Sequence, residues 1–222
     1  NITIGYGMTE NCAITTQLPG SNFIKPGSVG KVQPNVEVKI DEESEEILMR
    51  GPYVMLGYYN DSKTTNSTIK NGWLHTGDKG KIDDDGYLYI TGRVKDTFKT
   101  SKGEFIDPAK IEALFGEVEY FGQMCVVGLG IPQPIMLVNI SEIGKKLKNN
   151  ELIEKLENKL SSVNSKVFNY LRVSTIVICK DEWTPQNEIL TPTMKIKRGN
   201  VDKMYMEKYD EWHHSNKNII WE

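Results

Sequence analysis

The residues best suited to chemistry in this 222-residue sequence occur in four short segments, of which the first is Gly5–Glu10 (GYGMTE). The two glycines around Tyr6 let a backbone approach a ligand closely and leave an aromatic ring free to stack on a base. Thr9 offers a hydroxyl, and Glu10 offers a hard oxygen ligand suited to a Mg²⁺ ion that carries phosphates. Taken alone, the segment is explained better by a strand end with a tight turn.

The second segment, Gly72–Asp78 (GWLHTGD), ends in an aspartate that follows a glycine. At a loop tip, the Asp78 carboxylate could accept two hydrogen bonds from a vicinal diol such as a ribose. The alternative is an aspartate that caps a turn. The third segment, Gly92–Ile106, could bind an anion and act as a hinge, because it contains four cations within a stretch of ten residues: Arg93, Lys95, Lys99 and Lys102. A solvated, charged linker is the more usual explanation of such a cluster.

The fourth segment is Leu190–Arg198 (LTPTMKIKR). Pro192 and its flanking threonines keep this segment out of a helix, so we expect Lys195 to lie on a loop from which it could reach a site elsewhere. A lone surface lysine without a function is the simpler interpretation of this segment by itself.

The first ninety or so residues, which must position the first two segments, are typical of a small, mostly antiparallel β unit. Alternating apolar residues predict strands at 35–40 and 45–50, and residues 53–59 are expected to continue the sheet. A short helix is expected over 64–70. The turn Asp83–Gly86 predicts a hairpin between residues 80–82 and 87–91.

From Arg93 onward the pattern changes to mixed α and β, which places the best domain boundary at 92–96. Asp107-Pro108 followed by spaced apolar residues predicts a capped short helix that ends at Gly116. The other expected elements are strands at 124–128, 135–140 and 173–179, an amphipathic helix over 149–171 and a last helix over 201–212.

Composition excludes several classes of protein. The 27 Lys and Arg against 30 Asp and Glu give a net charge of −3, which argues against a nucleic-acid partner held mainly by phosphate attraction. No apolar run approaches the ~18 residues of a membrane-spanning helix. The three cysteines lie far apart and form no disulfide framework, which favours a reducing compartment: Cys12, Cys125 and Cys179.

In this order and at these separations, the four segments resemble the motifs of the AMP-forming adenylate superfamily, which comprises acyl-CoA synthetases, luciferases and the adenylation domains of peptide synthetases. Segment 6–10 resembles its adenine and magnesium motif, 74–78 its ribose motif, 92–96 its hinge, and 193–195 the carrier of its catalytic lysine. The endings of segments 99–106 and 190–198 are similar to those of long-chain fatty acyl-CoA synthetases.

The resemblance implies an α+β fold in two parts. Residues 1–92 would be the C-terminal antiparallel β subdomain of a large domain, and residues 93–222 would be a small, mobile α+β lid. The implied reaction uses ATP, Mg²⁺ and CoA. A fatty acid carboxylate attacks the α-phosphate of ATP to give acyl-AMP and pyrophosphate, and the CoA thiol then displaces AMP to leave a thioester.

The resemblance also assigns roles to the first segment. Tyr6 would stack on the adenine, and Gly7 would border the acyl carboxylate. Thr9 would contact the α-phosphate, and Glu10 would hold the magnesium ion.

The remaining roles fall on the other three segments. Asp78, helped by Arg93, would hold the ribose hydroxyls, and Lys195 would bridge the attacking carboxylate and the phosphate oxygens. Lys95 would be the hinge about which the lid rotates between the two steps. In thioester formation Lys195 would be replaced at the site by a loop that includes Lys99, Gly103 and Phe105.

The sequence begins with Asn1 and enters a strand-like run directly, while the superfamily's phosphate loop and most of its acyl pocket precede the adenine motif. We therefore expect that these residues are the C-terminal piece of a longer chain and that they are inactive alone. We expect the whole protein to be cytoplasmic, either free or associated peripherally with a membrane. Two alternatives stay open as well: an adenylating enzyme that serves a carrier-protein thiol, and a non-catalytic ATP-site half or interaction module.

Overall fold

The computed structural model describes residues 4–13, 15–17 and 25–222, so residues 1–3 of the expected opening strand lie outside the described residues. The described chain divides into two compact units, one up to Lys95 and one from Asp96 onward. The assignment of these units to the end of a large domain and to a mobile lid stays a prediction. No helix in the described ranges is long and apolar enough to cross a membrane.

The first unit is one sheet with a short helix. Its strands follow the order β1-β2-β3-β8-β7-β5-β4, with β6 beside β7, and every neighbouring pair is antiparallel. The elements are β1 (Gly5–Tyr6), β2 (Thr16–Gln17), β3 (Gly30–Val32), β4 (Glu37–Ile40), β5 (Glu46–Arg50), α1 (Ser62–Thr68), β6 (Ile69–Lys70), β7 (Trp73–Ile82) and β8 (Tyr87–Arg93).

The core of this unit lies on one face of the sheet. Ile47 and Met49 are alternate residues of β5 and therefore point to the same face, where they pack with Leu74 of β7 and Leu88 of β8. All four side chains are fully buried, and each stabilises the unit by about 1.5–3 kcal/mol through its removal from water. This core fixes β7 and β8, the two strands that carry the second segment and Arg93.

The hairpin between β7 and β8 turns at Asp83, whose carboxylate organises the turn. It accepts hydrogen bonds from the backbone N–H groups of Asp85 and Tyr87, from the hydroxyl of Tyr89 and, at 2.8 Å, from the ammonium of Lys25. The structure thus confirms the predicted hairpin, in which the aspartates build a turn.

These hydrogen bonds hold the pKa of Asp83 at about 2, with the Lys25 ammonium as the largest cause and the Tyr87 N–H as the second. Because the pKa is lower in the folded state, the stabilisation is present above the ordinary value near 3.8 and is lost as the pH falls through about 2. We expect Lys25→Ala to raise the pKa of Asp83, measured by NMR titration of the carboxyl carbons. An unchanged Asp83 titration in that variant would contradict the assigned cause.

The second unit contains a four-stranded sheet, a separate two-stranded hairpin and four α-helices. In the larger sheet, β11 and β12 are antiparallel, while β12–β13 and β13–β14 are parallel. The elements are β9 (Phe98–Lys99), β10 (Phe105–Ile106), α2 (Pro108–Phe115), β11 (Phe121–Val127), β12 (Ile135–Ile140), α3 (Asn149–Asn164), β13 (Ile176–Ile178), α4 (Arg198–Tyr205), α5 (Tyr209–His214) and β14 (Ile219–Trp221). The mixed α+β fold class is therefore confirmed.

Helices cover both faces of the larger sheet. Successive residues of β12 point to opposite faces, so Leu137 packs in one buried cluster and Met136 in another. The cluster around Leu137 includes Tyr205 and Trp212 of α4 and α5, while the cluster around Met136 includes residues of α2 and α3. Because both faces of β12 are buried, its sequence is a continuous apolar run instead of an alternation of apolar and polar residues.

Four expectations from the sequence are wrong in detail. Residues 53–59 form turns instead of a strand, with Gly51 at φ +158 and Gly57 at φ +154, which only glycine adopts easily. The helix at 149–171 ends at Asn164, whose side chain bonds both the N–H and the C=O of Val173 and so starts the return to the sheet. A 3₁₀ turn divides the last helix, and Asp107 precedes α2 without a side-chain capping bond.

Candidate functional site

The first unit brings Tyr6 of the first segment and Asp78 of the second into direct contact. The Tyr6 hydroxyl donates a hydrogen bond to Asp78 Oδ2 at 2.7 Å, although 72 residues separate the two in sequence. On the other side, Arg93 Nε lies 3.0 Å from Asp78 Oδ1, and the two residues are register partners of β7 and β8. A carboxylate has about four lone-pair positions, so each oxygen keeps acceptor capacity for a diol.

The burial of this group is uneven. The Asp78 side chain is 19% exposed, whereas that of Arg93 is 60% exposed. Burial, with a smaller contribution from the hydrogen bond to Asp78, raises the pKa of Tyr6 well above its usual value of 10, so the phenol stays protonated and keeps donating. An ion pair with so exposed an arginine contributes little to the stability of the unit.

A bulge in β7 presents Asp78. Leu48 pairs with His75 and Glu46 pairs with Lys79, so three residues of β7 stand opposite the single residue Ile47. The expected loop tip at Asp78 is therefore wrong: this residue lies within a strand whose pairing is locally interrupted.

The side chains of Glu46 and Thr76 fix the shape of the bulge through four interactions. The Glu46 carboxylate accepts from the Gly77 N–H at 2.8 Å and lies 2.8 Å from His75 Nδ1. The buried Thr76 hydroxyl donates to the Ile47 carbonyl at 2.8 Å and accepts from the Asp78 N–H. Gly77 has φ +73, a left-handed conformation that glycine adopts without strain.

The turn after Tyr6 carries the candidate metal ligand. Gly7 follows β1, and Thr9 and Glu10 belong to a 3₁₀ turn in which Thr9 is exposed. Glu10 Oε1 accepts a hydrogen bond from the hydroxyl of Tyr58 at 2.7 Å. Among the described residues, no cluster of three or more His, Cys, Asp or Glu could hold a metal ion. A single carboxylate still fits Mg²⁺, because this ion is usually held by one or two carboxylates plus waters and substrate phosphates.

Lys195 lies exposed on the expected loop, in the second unit. The loop is a tight hairpin in which Leu190 bridges Ile196, and both the Thr191 N–H and the Thr191 hydroxyl bond the backbone of Lys195, at 2.8 and 3.0 Å. Met194 has φ 64, so the residue before Lys195 makes the left-handed turn. The backbone is thus fixed while the ammonium group is in solvent.

The remaining candidate residues of the third segment are also exposed. Lys95 is exposed in a 3₁₀ turn over Val94–Asp96, at the division between the two units. The hairpin of β9 and β10 carries Lys99, whose ammonium lies 5.2 Å from the centre of the Phe105 ring, and Gly103 at the tip has φ +89. Phe105 is 68% exposed.

Three residues that the structure adds to the site were missed in the sequence. Tyr58 contacts Glu10, Glu46 holds the bulge at Asp78, and Arg198 begins α4 three residues after Lys195. Arg198 belongs to the fourth segment itself and could have been noticed there. Tyr58 and Glu46 lie 48 and 31 residues from the groups they bind, so only the folded chain reveals them.

Both units of the chain are similar to known proteins. The family model described as AMP-binding enzyme matches residues 1–59, and that described as AMP-binding enzyme C-terminal domain matches residues 95–217. Long chain acyl-CoA synthetase 6, peroxisomal, of Arabidopsis thaliana is 31% identical over 242 residues, which cover 93% of this chain and 34% of that protein. Probable 4-coumarate–CoA ligase 2 of Dictyostelium discoideum is 37% identical over 175 residues, 71% of this chain and 31% of that protein.

A solved structure shares the fold. The A domain of carboxylic acid reductase from Segniliparus rugosus, in complex with AMP and a co-purified carboxylic acid, superposes with a TM-score of 0.77 at 22% identity, covering 97% of this chain and 35% of that one. The chain thus spans about a third of the length of the relatives it matches. Two family models, of which the second alone covers more than half of the chain, establish the family. The chain belongs to the AMP-binding enzyme family.

Proposed function

We propose that this chain is the C-terminal part of a long-chain fatty acid–CoA ligase that forms acyl-AMP from ATP and a fatty acid and then transfers the acyl group to CoA. The observation that carries the proposal is the hydrogen bond between Tyr6 and Asp78. It supports one nucleotide site, because the residue of the adenine motif meets the residue of the ribose motif, and these two parts of ATP are directly bonded.

The contacts of the first unit support a binding mode for ATP. The Tyr6 ring would stack on the adenine, while the Asp78 carboxylate, steadied by Arg93 and by the bulge, accepts from the ribose hydroxyls. Thr9 would donate to the α-phosphate, with Gly7 at the acyl carboxylate. Mg²⁺ held by Glu10 would neutralise phosphate charge.

Lys195 would stabilise the charge that develops when the carboxylate attacks the α-phosphate. Phosphoryl and nucleotidyl transfers depend on alignment and charge neutralisation more than on a protein nucleophile. A fixed backbone with a free ammonium group suits that role, since only the side chain must adjust. Residues 93–222 would act as the mobile lid, which turns at Lys95 and presents Lys99, Gly103 and Phe105 for the thioester step.

The preference for long-chain fatty acids rests on the endings of segments 99–106 and 190–198 and on the similarity to the Arabidopsis long chain acyl-CoA synthetase. We place the enzyme in the cytoplasm, where it could associate peripherally with a membrane. Because the superfamily's phosphate loop lies upstream of the adenine motif, we expect that the 222 residues alone do not catalyse the reaction.

The test is pyrophosphate exchange by the longest natural chain that carries these residues. We expect exchange with palmitate and ATP·Mg²⁺, and consumption of the acyl-AMP on addition of CoA. Exchange without CoA consumption, but with acylation of a phosphopantetheinylated carrier protein, would support the carrier-protein alternative. A long chain that binds ATP and exchanges with no carboxylate would support the non-catalytic alternative.

Asp78→Asn should raise the KM for ATP by about 10- to 100-fold, because hydrogen bonds to a charged acceptor contribute about 1.5–3 kcal/mol. Tyr6→Phe removes only the phenol hydroxyl and should leave the KM within about threefold of the wild type, since the ring that stacks is kept. Asp85→Asn, which changes an exposed carboxylate of the β7–β8 turn, is the control. Steady-state exchange kinetics at varied ATP measure all three, and an unchanged KM in Asp78→Asn would contradict the ribose assignment.

A further inference from the structure

Arg198 is the most heavily engaged charged side chain that the proposed chemistry does not use. It is the first residue of α4 and lies three residues after Lys195. The side chain is only 15% exposed. All three guanidinium nitrogens are occupied, so the group is held in one orientation.

The partners of Arg198 come from three different parts of the second unit. Its NH2 group donates to both Glu112 oxygens of α2, at 2.6 and 2.5 Å. Its NH1 group donates to the Val126 carbonyl at 2.9 Å and contacts Cys125 Sγ, both in β11, and its Nε donates to Asp96 at 3.1 Å. The Glu112 carboxylate also accepts from the Val126 N–H at 2.7 Å, so the cluster is cross-linked.

Asp96 links the Arg198 cluster to the proposed hinge. It is the first residue of the second unit and directly follows Lys95, the proposed hinge. Arg198 therefore joins the start of the unit to the end of the Lys195 loop, whose other end is held by the buried residues Ile189 and Leu190.

We infer that Arg198 is a positioning residue for Lys195, which locks the lysine loop to the segment directly after the hinge. The inference rests on the proposed function. Rotation about Lys95 then carries the lysine loop as part of a rigid body, and the ammonium of Lys195 returns to the same place in each catalytic cycle. The planar guanidinium group, with its five N–H donors, suits this task because it fixes orientation as well as distance.

The primary test is the substitution Arg198→Lys in the full-length ligase. It keeps the positive charge but removes the planar set of guanidinium donors. We expect the kcat of acyl-AMP formation to fall by about 10- to 50-fold, because small displacements of a catalytic group have effects of this size. The KM for ATP should stay within about twofold, since Lys195 acts in the transition state. Thioester formation from synthetic acyl-AMP and CoA, a step that does not use Lys195, should stay within about threefold.

Asp96→Asn is the second variant, because it loosens the link to the hinge while keeping the pair of Arg198 with Glu112. We expect the same pattern with a smaller loss of kcat. Lys145→Ala, which removes two exposed ion pairs in the same unit, with Glu142 and with Glu182, is the matched control and should change neither step.

Equal loss of both steps in Arg198→Lys and Asp96→Asn would show a purely structural role and overturn the inference, as would unchanged kinetics in both. Failure of the proposed function gives a different result, since the wild-type enzyme would then form no acyl-AMP from palmitate. Loss of acyl-AMP formation in Lys195→Ala, together with normal kinetics in Arg198→Lys and Asp96→Asn, would overturn this inference alone.

Discussion

Replacing Lys195 by alanine in the proposed full-length ligase is expected to lower the rate of acyl-AMP formation by about 10²- to 10³-fold, the usual loss when one preorganised group that stabilises the transition state is removed. Because the ammonium is exposed and its loop is held by backbone bonds to Thr191, the variant should fold normally. Thioester formation from synthetic acyl-AMP should be unaffected. Single-turnover measurements of each step, on the same enzyme preparation, separate the two effects.

Lys197→Ala is the control for this experiment, since it removes the same charge two residues away. If Lys195→Ala and Lys197→Ala lose acyl-AMP formation equally, the effect is one of general electrostatics and Lys195 has no special role. If both half-reactions fall together in Lys195→Ala alone, the lysine does not act in a single step. Either result would require a different assignment of the fourth segment.

Much of the local structure could be predicted from the sequence because its causes are local. The Asp83 hairpin follows from turn chemistry, and α2 follows from a proline at its start and a glycine at its end. The amphipathic spacing of apolar residues predicts helix α3 but not the residue at which it ends. There the periodicity continued to Val167, while the side chain of Asn164 bonded Val173 and ended the helix.

The site depends on contacts between residues that are far apart in the sequence. Such contacts could not be predicted from the sequence. The glycine before Asp78 predicts a loop tip, yet the sheet pairs Asp78 with Arg93 and places Gly77 in a bulge. The bulge needs Glu46, which is just one of several acidic residues in its stretch of sequence. Resemblance to a family could identify Asp78 as a candidate, but only the fold explains how its carboxylate is held.

Arg198 illustrates the same limit in the second unit. In the sequence it is one of three cations at the end of the fourth segment, and a solvated surface position is the simplest expectation for such a residue. In the fold it is largely buried and binds groups 72 to 102 residues away. Burial of a charge requires partners that are distant in sequence, so patterning along the chain cannot reveal it.

Proline at position 95 is expected to preserve acyl-AMP formation but to slow thioester formation by about 10²-fold or more, the loss that misplacement of catalytic groups produces. Proline fixes its own φ near −65° and disfavours helical geometry at Val94, so the 3₁₀ turn that now spans Val94–Asp96 could no longer exchange freely between conformations. Lys95→Ala, which loses the charge but keeps the rotational freedom, should support both steps.

The comparison of these two variants separates hinge motion from electrostatics at residue 95. A selective loss of thioester formation in Lys95→Pro, absent from Lys95→Ala, requires that the backbone at this position moves between the two half-reactions. Equal loss of both steps in the proline variant, or no loss of either, would show that the lid does not turn at Lys95. The Arg198 cluster would then fix Lys195 within a unit whose movement depends on another residue, because Asp96 would still be bonded to it.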